Sequence, residues 1–195
     1  MKSTAVASAL CLALVTLFAL DVAICPGQEQ QPPAVVLQRI AARDHYRTVH
    51  SLAWSPDSEL LVSGSADFRT SLWTIPELEK ARWLSRRRGS VYSVAFSPSG
   101  SLIASADHHG HVCVYSSDSG ELRHEIDSGR EAVTSMTFLG DDDRLLIGHK
   151  DGQVQLWSPS ETRLLERLDC TATIVTIAYS ARDQRIAASV FRRAA

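Results

Sequence analysis

The chain has 195 residues, 45% of them hydrophobic and 22% charged, with a formal net charge of −2. This composition supplies enough apolar content for a core and excludes a chain disordered or fibrous over most of its length. The balanced charge also argues against a nucleic-acid binder, which needs a wide basic surface with stacking aromatics.

The first 33 residues stand apart. Lys2 precedes the apolar run AVASALCLALVTLFAL, Ala5 to Leu20, which Asp21 closes. Sixteen residues fall short of the ~20 needed to span a bilayer but suit the core of a signal peptide after a short basic start. Residues 1–27 are therefore expected to be an export signal, with a cut after Gly27. An uncleaved membrane anchor is the alternative, and the only route by which the protein would meet a membrane. Lipid attachment at Cys25 is disfavoured by the bulky Ile24 before it. Residues 28–33 form a Pro/Gln-rich linker, and export to a periplasmic or extracellular space follows. Only Cys113 and Cys170 lie beyond this region. They are too few for a disulfide scaffold, and Cys113, between Val112 and Val114, reads as a small buried hydrophobe.

Residues 34–42, AVVLQRIAA, read as a lone outer strand. After them the chain repeats itself: VHSLAWS at Val49 returns as VYSVAFS at Val91, VTSMTFL at Val133 and IVTIAYS at Ile174, at spacings of 42, 42 and 41 residues. Within the first unit an alternating strand meets the turn SPDSE; then come LLVSGS, the tight turn ADFR, TSLWT and ARWLS. Four short strands per ~40–45 residues make one blade of a β-propeller. Blades are expected at about 43–84, 85–126 and 127–168, with a partial blade at 169–195 whose strands are Ile174–Tyr179 and Arg185–Phe191.

These units resemble the WD-repeat (WD40) β-propeller family, the likeness resting on SVAFSPSG (Ser93–Gly100), LVSGSADFRTSLWT (Leu61–Thr74) and LIGHKDGQVQLWS (Leu146–Ser158). The fold class expected is all-β, a partial ring of four-stranded antiparallel blades after an N-terminal helix. The resemblance implies a structural hydrogen-bond set of His45, Ser63 or Ser65, Asp67 and Trp73 in the first blade. The second blade departs from it, with Arg87, His109 and Tyr115 at the His, Asp and Trp positions. The third keeps Asp151 and Trp157 but has Gly129 for His. Since a propeller needs 4–8 blades to close, three arrangements compete: a fragment of a longer gene product, ranked first; an open arc that self-associates through exposed strand edges; and two copies sharing one ring.

No nucleophile elbow, phosphate-cradling glycine loop or paired-carboxylate motif occurs, so no catalytic residue and no cofactor is expected. His108, His109, His111 and His149 are weak metal candidates, because tight turns splay their side chains and the spacing matches no metal-site pattern. Asp141–Asp143 reads as a solvated turn. The loops fall on two faces, one slightly positive and the other clearly acidic. On the positive face, Tyr46, Arg47, Phe68, Arg69 and Arg86, Arg87 and Arg88 combine aromatics with arginines as binding hot spots do. A non-catalytic scaffold for a protein or peptide partner is the leading expectation. The alternative is a piece of a larger exported propeller-containing enzyme whose catalytic part lies outside this chain.

Overall fold

A computed structural model describes residues 45–75, 79–86, 89–129, 131–140 and 143–191, with backbone only at 79–81, 85 and 86. The expected leader 1–27, linker 28–33 and strand 34–42 lie outside these residues, as do Arg87 and Arg88. The chain divides after Arg39, and every described residue belongs to the second unit, Ile40–Ala195.

That unit is all-β. Blade one is a sheet of β1 (Val49–Trp54), β2 (Leu60–Ser65), β3 (Arg69–Thr74) and β4 (Glu79–Arg86), hydrogen-bonded in chain order. Blade two repeats this with β5 (Val91–Phe96), β6 (Leu102–Asp107), β7 (His111–Ser116) and β8 (Leu122–Asp127). Blade three consists of β9 (Val133–Phe138), β10 (Leu145–His149), β11 (Gln153–Ser158) and β12 (Arg163–Asp169). A half blade of β13 (Thr173–Ser180) and β14 (Arg185–Phe191) follows. Every pairing is antiparallel. The fourth strand of blade one is longer than ARWLS suggested, because its pairing with β3 absorbs two register shifts.

Short polar turns set the strand ends. Ser55 Oγ receives the Leu60 N–H at 2.8 Å and Ser97 Oγ the Leu102 N–H at 3.1 Å, so each SP turn closes its own hairpin. At the next turn, Gly110 and Gly152 have φ of 85° and 97°, and a Cβ on either would run into the backbone of the following loop. Their equivalent in blade one is Phe68, held at φ 70°.

The inner strands β1, β5, β9 and β13 touch in succession, and the core lies between blades as three apolar layers. Val62 and Leu72 of blade one pack on Val91, Val94 and Ile103 of blade two. Ala95, Ala104, Ala106, Val112 and Val114 then meet Val133, Met136, Phe138 and Ile147. Leu146 and Val154 meet Ile174 and Ile177. Each large side chain buried this way contributes about 1.5–3 kcal/mol, which is why polar positions can drift between blades without loss of the fold. The contacts are close: a Cβ on Gly64 would sit 2.6 Å from Val91 Cγ1, and one on Gly148 2.8 Å from Ile174 Cγ2. Cys113 is buried, its thiol donating to Glu125 Oε1 at 3.4 Å, and half-buried Cys170 packs on the third layer; the two form no disulfide with each other.

Candidate protein-interaction face

The turn between β2 and β3 gathers the side chains of blade one. A carboxylate can only accept, so His45 Nδ1 donates to Asp67 Oδ2 at 2.9 Å, while Nε2 lies 2.8 Å from Ser63 Oγ. Ser63 Oγ also receives the indole N–H of Trp73 at 2.8 Å. Asp67 accepts the backbone N–H of Arg69 at 3.1 Å and of Tyr46 at 3.3 Å, pinning both the turn and the segment before β1. The two serines divide the work: Ser65 Oγ receives the Asp67 N–H at 3.2 Å and donates to the Thr48 carbonyl at 3.0 Å. Burial pushes the Asp67 carboxyl up, but the hydrogen bond and charge of His45, with Ser65 and the Arg69 N–H, outweigh it and hold the pKa below the usual aspartate value.

Blades two and three solve the same turn differently. In blade two the capping carboxylate is Asp107 rather than a residue at the position of His109: it receives the N–H groups of His109 and His111 at 2.9 and 3.1 Å from two residues further back. Ser105, the equivalent of Ser63, has its hydroxyl buried without a partner among the described residues. In blade three Asp151 is exposed and, among the described residues, receives the Gln153 N–H at 3.0 Å. Trp157 is half-buried, unlike Trp73 and Tyr115, and its indole donates to Gln155 Oε1 at 2.7 Å. Gln155 Nε2 in turn donates to the Ser128 carbonyl at 3.0 Å. These substitutes were not legible in the sequence, because a repeat alignment marks missing residues without showing which neighbours replace them.

The four histidines weighed as metal ligands do not converge. His149 is buried, with Nδ1 3.3 Å from the Glu131 carbonyl, and burial lowers its pKa. His108 and His109 stack with ring centroids 3.7 Å apart, and His109 lines a shallow pocket with His111 and Asp127, apart from His149. Among the described residues no three His, Cys, Asp or Glu side chains are placed to hold a metal ion. Asp143 is more than a solvated turn residue: it accepts the Ser158 hydroxyl at 2.9 Å and the Ser160 N–H at 3.1 Å, tying two loops together.

Of the residues expected on the interaction face, Tyr46 and Arg69 come together. The Arg69 guanidinium lies 4.5 Å from the ring centroid of Trp83 and 5.4 Å from that of Tyr46, which is 61% exposed. Trp83, on β4, was not anticipated; it enters because β4 pairs with β3 and sets Trp83 opposite Ser71. Arg47 is exposed, Phe68 half-buried, and the Arg86 backbone pairs with Arg69.

A second feature absent from the expectations is a β-bulge repeated in every inner strand. The register shifts at His50, Tyr92, Thr134 and Val175, so each is an extra residue re-aimed out of its sheet. Its signal was present in VHSLAW: Val49, Leu52 and Trp54 stand at i, i+3 and i+5, which a strict period of two cannot place on one face. His50 and Tyr92 meet with centroids 4.6 Å apart, and Tyr92 and Thr134 line a cleft of about 510 Å³ with His108, Glu131 and Lys150.

Bladed four-stranded sheets, inner strands in succession and a His–Asp–Ser–Trp set define a WD-repeat propeller. The profile of the Vps8 beta-propeller family matches residues 82–189, more than half the chain, and that of the WD domain, G-beta repeat, matches residues 38–74. The chain belongs to the WD-repeat β-propeller family. Among curated relatives, the probable cytosolic iron-sulfur protein assembly protein 1 of two strains of Cryptococcus neoformans var. neoformans serotype D is 42% identical over 48 residues, 25% of this chain and 11% of the relative. The solved structures of U3-55K and of the RRP9 WD40 repeats align with TM-scores of 0.66 at 20% identity, covering 69% of this chain and 43% of those chains. The chain thus spans about a tenth of the curated relatives it matches, and under half of the solved structures.

Proposed function

We propose that this protein is an exported, non-catalytic scaffold that binds a protein or peptide partner through the face carrying His45, Tyr46, Arg47, Phe68, Arg69 and Arg86 to Arg88. WD-repeat propellers typically serve as platforms for protein interaction, and the observation that carries the reading to this face is the Arg69 guanidinium poised between Trp83 and Tyr46. Such preorganised aromatic–arginine clusters lose little entropy on binding and are enriched in hot spots. Phe68 adds to it: a bulky residue in the left-handed region costs on the order of 1–3 kcal/mol, and strain of this kind concentrates where a side chain is needed for contact. Export rests on the apolar run Ala5 to Leu20 after Lys2, with retention by an uncleaved anchor as the other route.

Cross-linking and co-purification from the source cells, compared between wild type and variants, test the binding reading. Arg69→Glu, or reversal of Arg86 to Arg88, is expected to deplete the main cross-linked partner more than reversal of Asp141 to Asp143. The opposite order would move the site to the acidic face. For export, N-terminal sequencing of the protein from the extracytoplasmic fraction should begin near Gln28. Recovery of the chain in the cytoplasm alone refutes export.

A further inference from the structure

In each blade the first residue of the third strand stands opposite the last residue of the fourth, and the charges at this ladder position differ between blades. It pairs Arg69 with Arg86 in blade one, His111 with Asp127 in blade two and Gln153 with Asp169 in blade three. Blades two and three thus place a carboxylate where blade one places a second arginine. Like charges directly opposite one another on a ladder are destabilising, so blade one lacks the counter-charge that the repeat supplies elsewhere.

Blade three shows what that carboxylate does. Arg167, at the position of Trp83, brings Nε and Nη2 to Asp169 Oδ1 at 3.0 and 2.9 Å. In blade one the guanidinium at this corner is that of Arg69, and among the described residues it forms no ion pair and no side-chain hydrogen bond. It is held all the same, with the ring centroids of Trp83 and Tyr46 at 4.5 and 5.4 Å. Contacts with ring faces leave its N–H groups without an acceptor. The openness of this corner is a feature of the repeat: His111 and Glu125 hold the positions of Arg69 and Trp83 in blade two, behind the whole of blade one, and both are exposed.

We propose that this corner of blade one recognises a carboxylate of the partner: an Asp or Glu side chain in an acidic segment takes at Arg69 and Arg86 the place that Asp169 takes beside Arg167. The inference rests on the reading of this face as a partner-binding surface and gives that partner its chemistry. The carboxylate accepts N–H groups of Arg69 in the plane of the guanidinium, while Trp83 and Tyr46 hold that plane in place. Arg86, whose backbone pairs with that of Arg69, adds a second positive charge at the same ladder position. Phosphate meets such donors as well, but the flat carboxylate matches a flat donor edge, and the repeat itself uses aspartate there.

NMR titration of the full chain, following the Trp83 indole N–H and the Arg69 Nε–H, tests this with three end-blocked probes: a peptide of alternating glutamate and glycine, its glutamine counterpart, and a phosphoserine peptide matched to the first in charge. The glutamate peptide is expected to shift both signals and the glutamine peptide neither. Arg69→Gln should weaken the glutamate peptide by about tenfold, as the loss of a charge-assisted pair implies. Arg86→Asp places the missing carboxylate within the chain, so it should also block the peptide and, unlike a substitution that damages the fold, raise the thermal unfolding midpoint. Equal shifts from the glutamate and glutamine peptides, or undiminished binding of the glutamate peptide to Arg86→Asp, overturn the proposal. Tighter binding of the phosphoserine peptide overturns it too, in favour of phosphate. The cross-linking comparison with Arg69→Glu separates the two readings. Loss of the partner there with no preference among the peptides here refutes an acidic partner and leaves the face as the binding surface; a glutamate preference without loss of the partner supports the carboxylate site and refutes the wider reading.

Discussion

Ser63 and Ser105 occupy equivalent positions in blades one and two, yet replacing each with alanine should change stability in opposite directions. Ser63 Oγ is the junction between the Trp73 indole N–H and His45 Nε2, both at 2.8 Å. Ser63→Ala strands two polar atoms, on a Trp that is 4% exposed and on the buried His45 side chain. At ~1–3 kcal/mol per buried unsatisfied group, less some relaxation, the expected cost is about 3 kcal/mol. Ser105 is the reverse case: its hydroxyl is buried without a partner among the described residues, so the desolvation cost is already present in the native state. Ser105→Ala removes that cost and leaves a gap of only one atom, for an expected gain of about 1 kcal/mol. Urea unfolding followed by tryptophan fluorescence reads both, and for a chain this size about 3 kcal/mol corresponds to a melting shift of roughly 6–12 °C. If both variants lose stability to a similar degree, Ser105 has a partner and the reasoning from hydrogen-bond satisfaction fails for this turn.

Asp67→Ala should cost about 3 kcal/mol, because a buried, charge-assisted bond to His45 and two backbone N–H groups lose their acceptor; Asp151→Ala, which removes one bond at an exposed site, should cost about 0.5 kcal/mol in the same assay. Burial depresses the pKa of His149, so its contribution is full above the ordinary histidine value of about 6.5 and is lost as pH falls from there toward the folded value; unfolding midpoints of wild type should drop over that interval relative to His149→Ser. Asp67, also depressed, contributes stability present above the unfolded aspartate value of about 3.9 and lost as pH falls through its folded value, so Asp67→Asn should flatten the acid limb of the stability curve. Gly148→Val places a side chain where Ile174 Cγ2 already lies, and should loosen β13 and β14 before the other blades, seen as faster amide exchange confined to residues 173–191.

The sequence by itself determined the architecture, because a propeller blade is written in local terms: an alternating strand and a polar turn, four times over, at a period that survives changes in individual residues. The second-blade strand opening at Val91 and the last strand at Arg185–Phe191 were readable to the residue for that reason. The family resemblance implied His45, Ser63 or Ser65, Asp67 and Trp73 without choosing between the serines; the folded turn sets Ser63 between His45 and Trp73 and Ser65 on the Asp67 N–H. What the tertiary structure decided was which polar groups meet in each turn and everything that depends on strand pairing. Asp107 replaces a missing capping residue and Gln155 supplies the Trp157 indole, choices set by which side chain the turn leaves within reach. The bulge at His50, Tyr92, Thr134 and Val175 appears only when two strands are paired, because a register shift is a property of the pair. Trp83 joins Arg69 only through the β3 and β4 ladder. Whether Val49, Leu52 and Trp54 are core or surface was likewise beyond a pattern that repeats identically in every blade: the same residues are buried where another blade covers them and exposed where none of the described residues does.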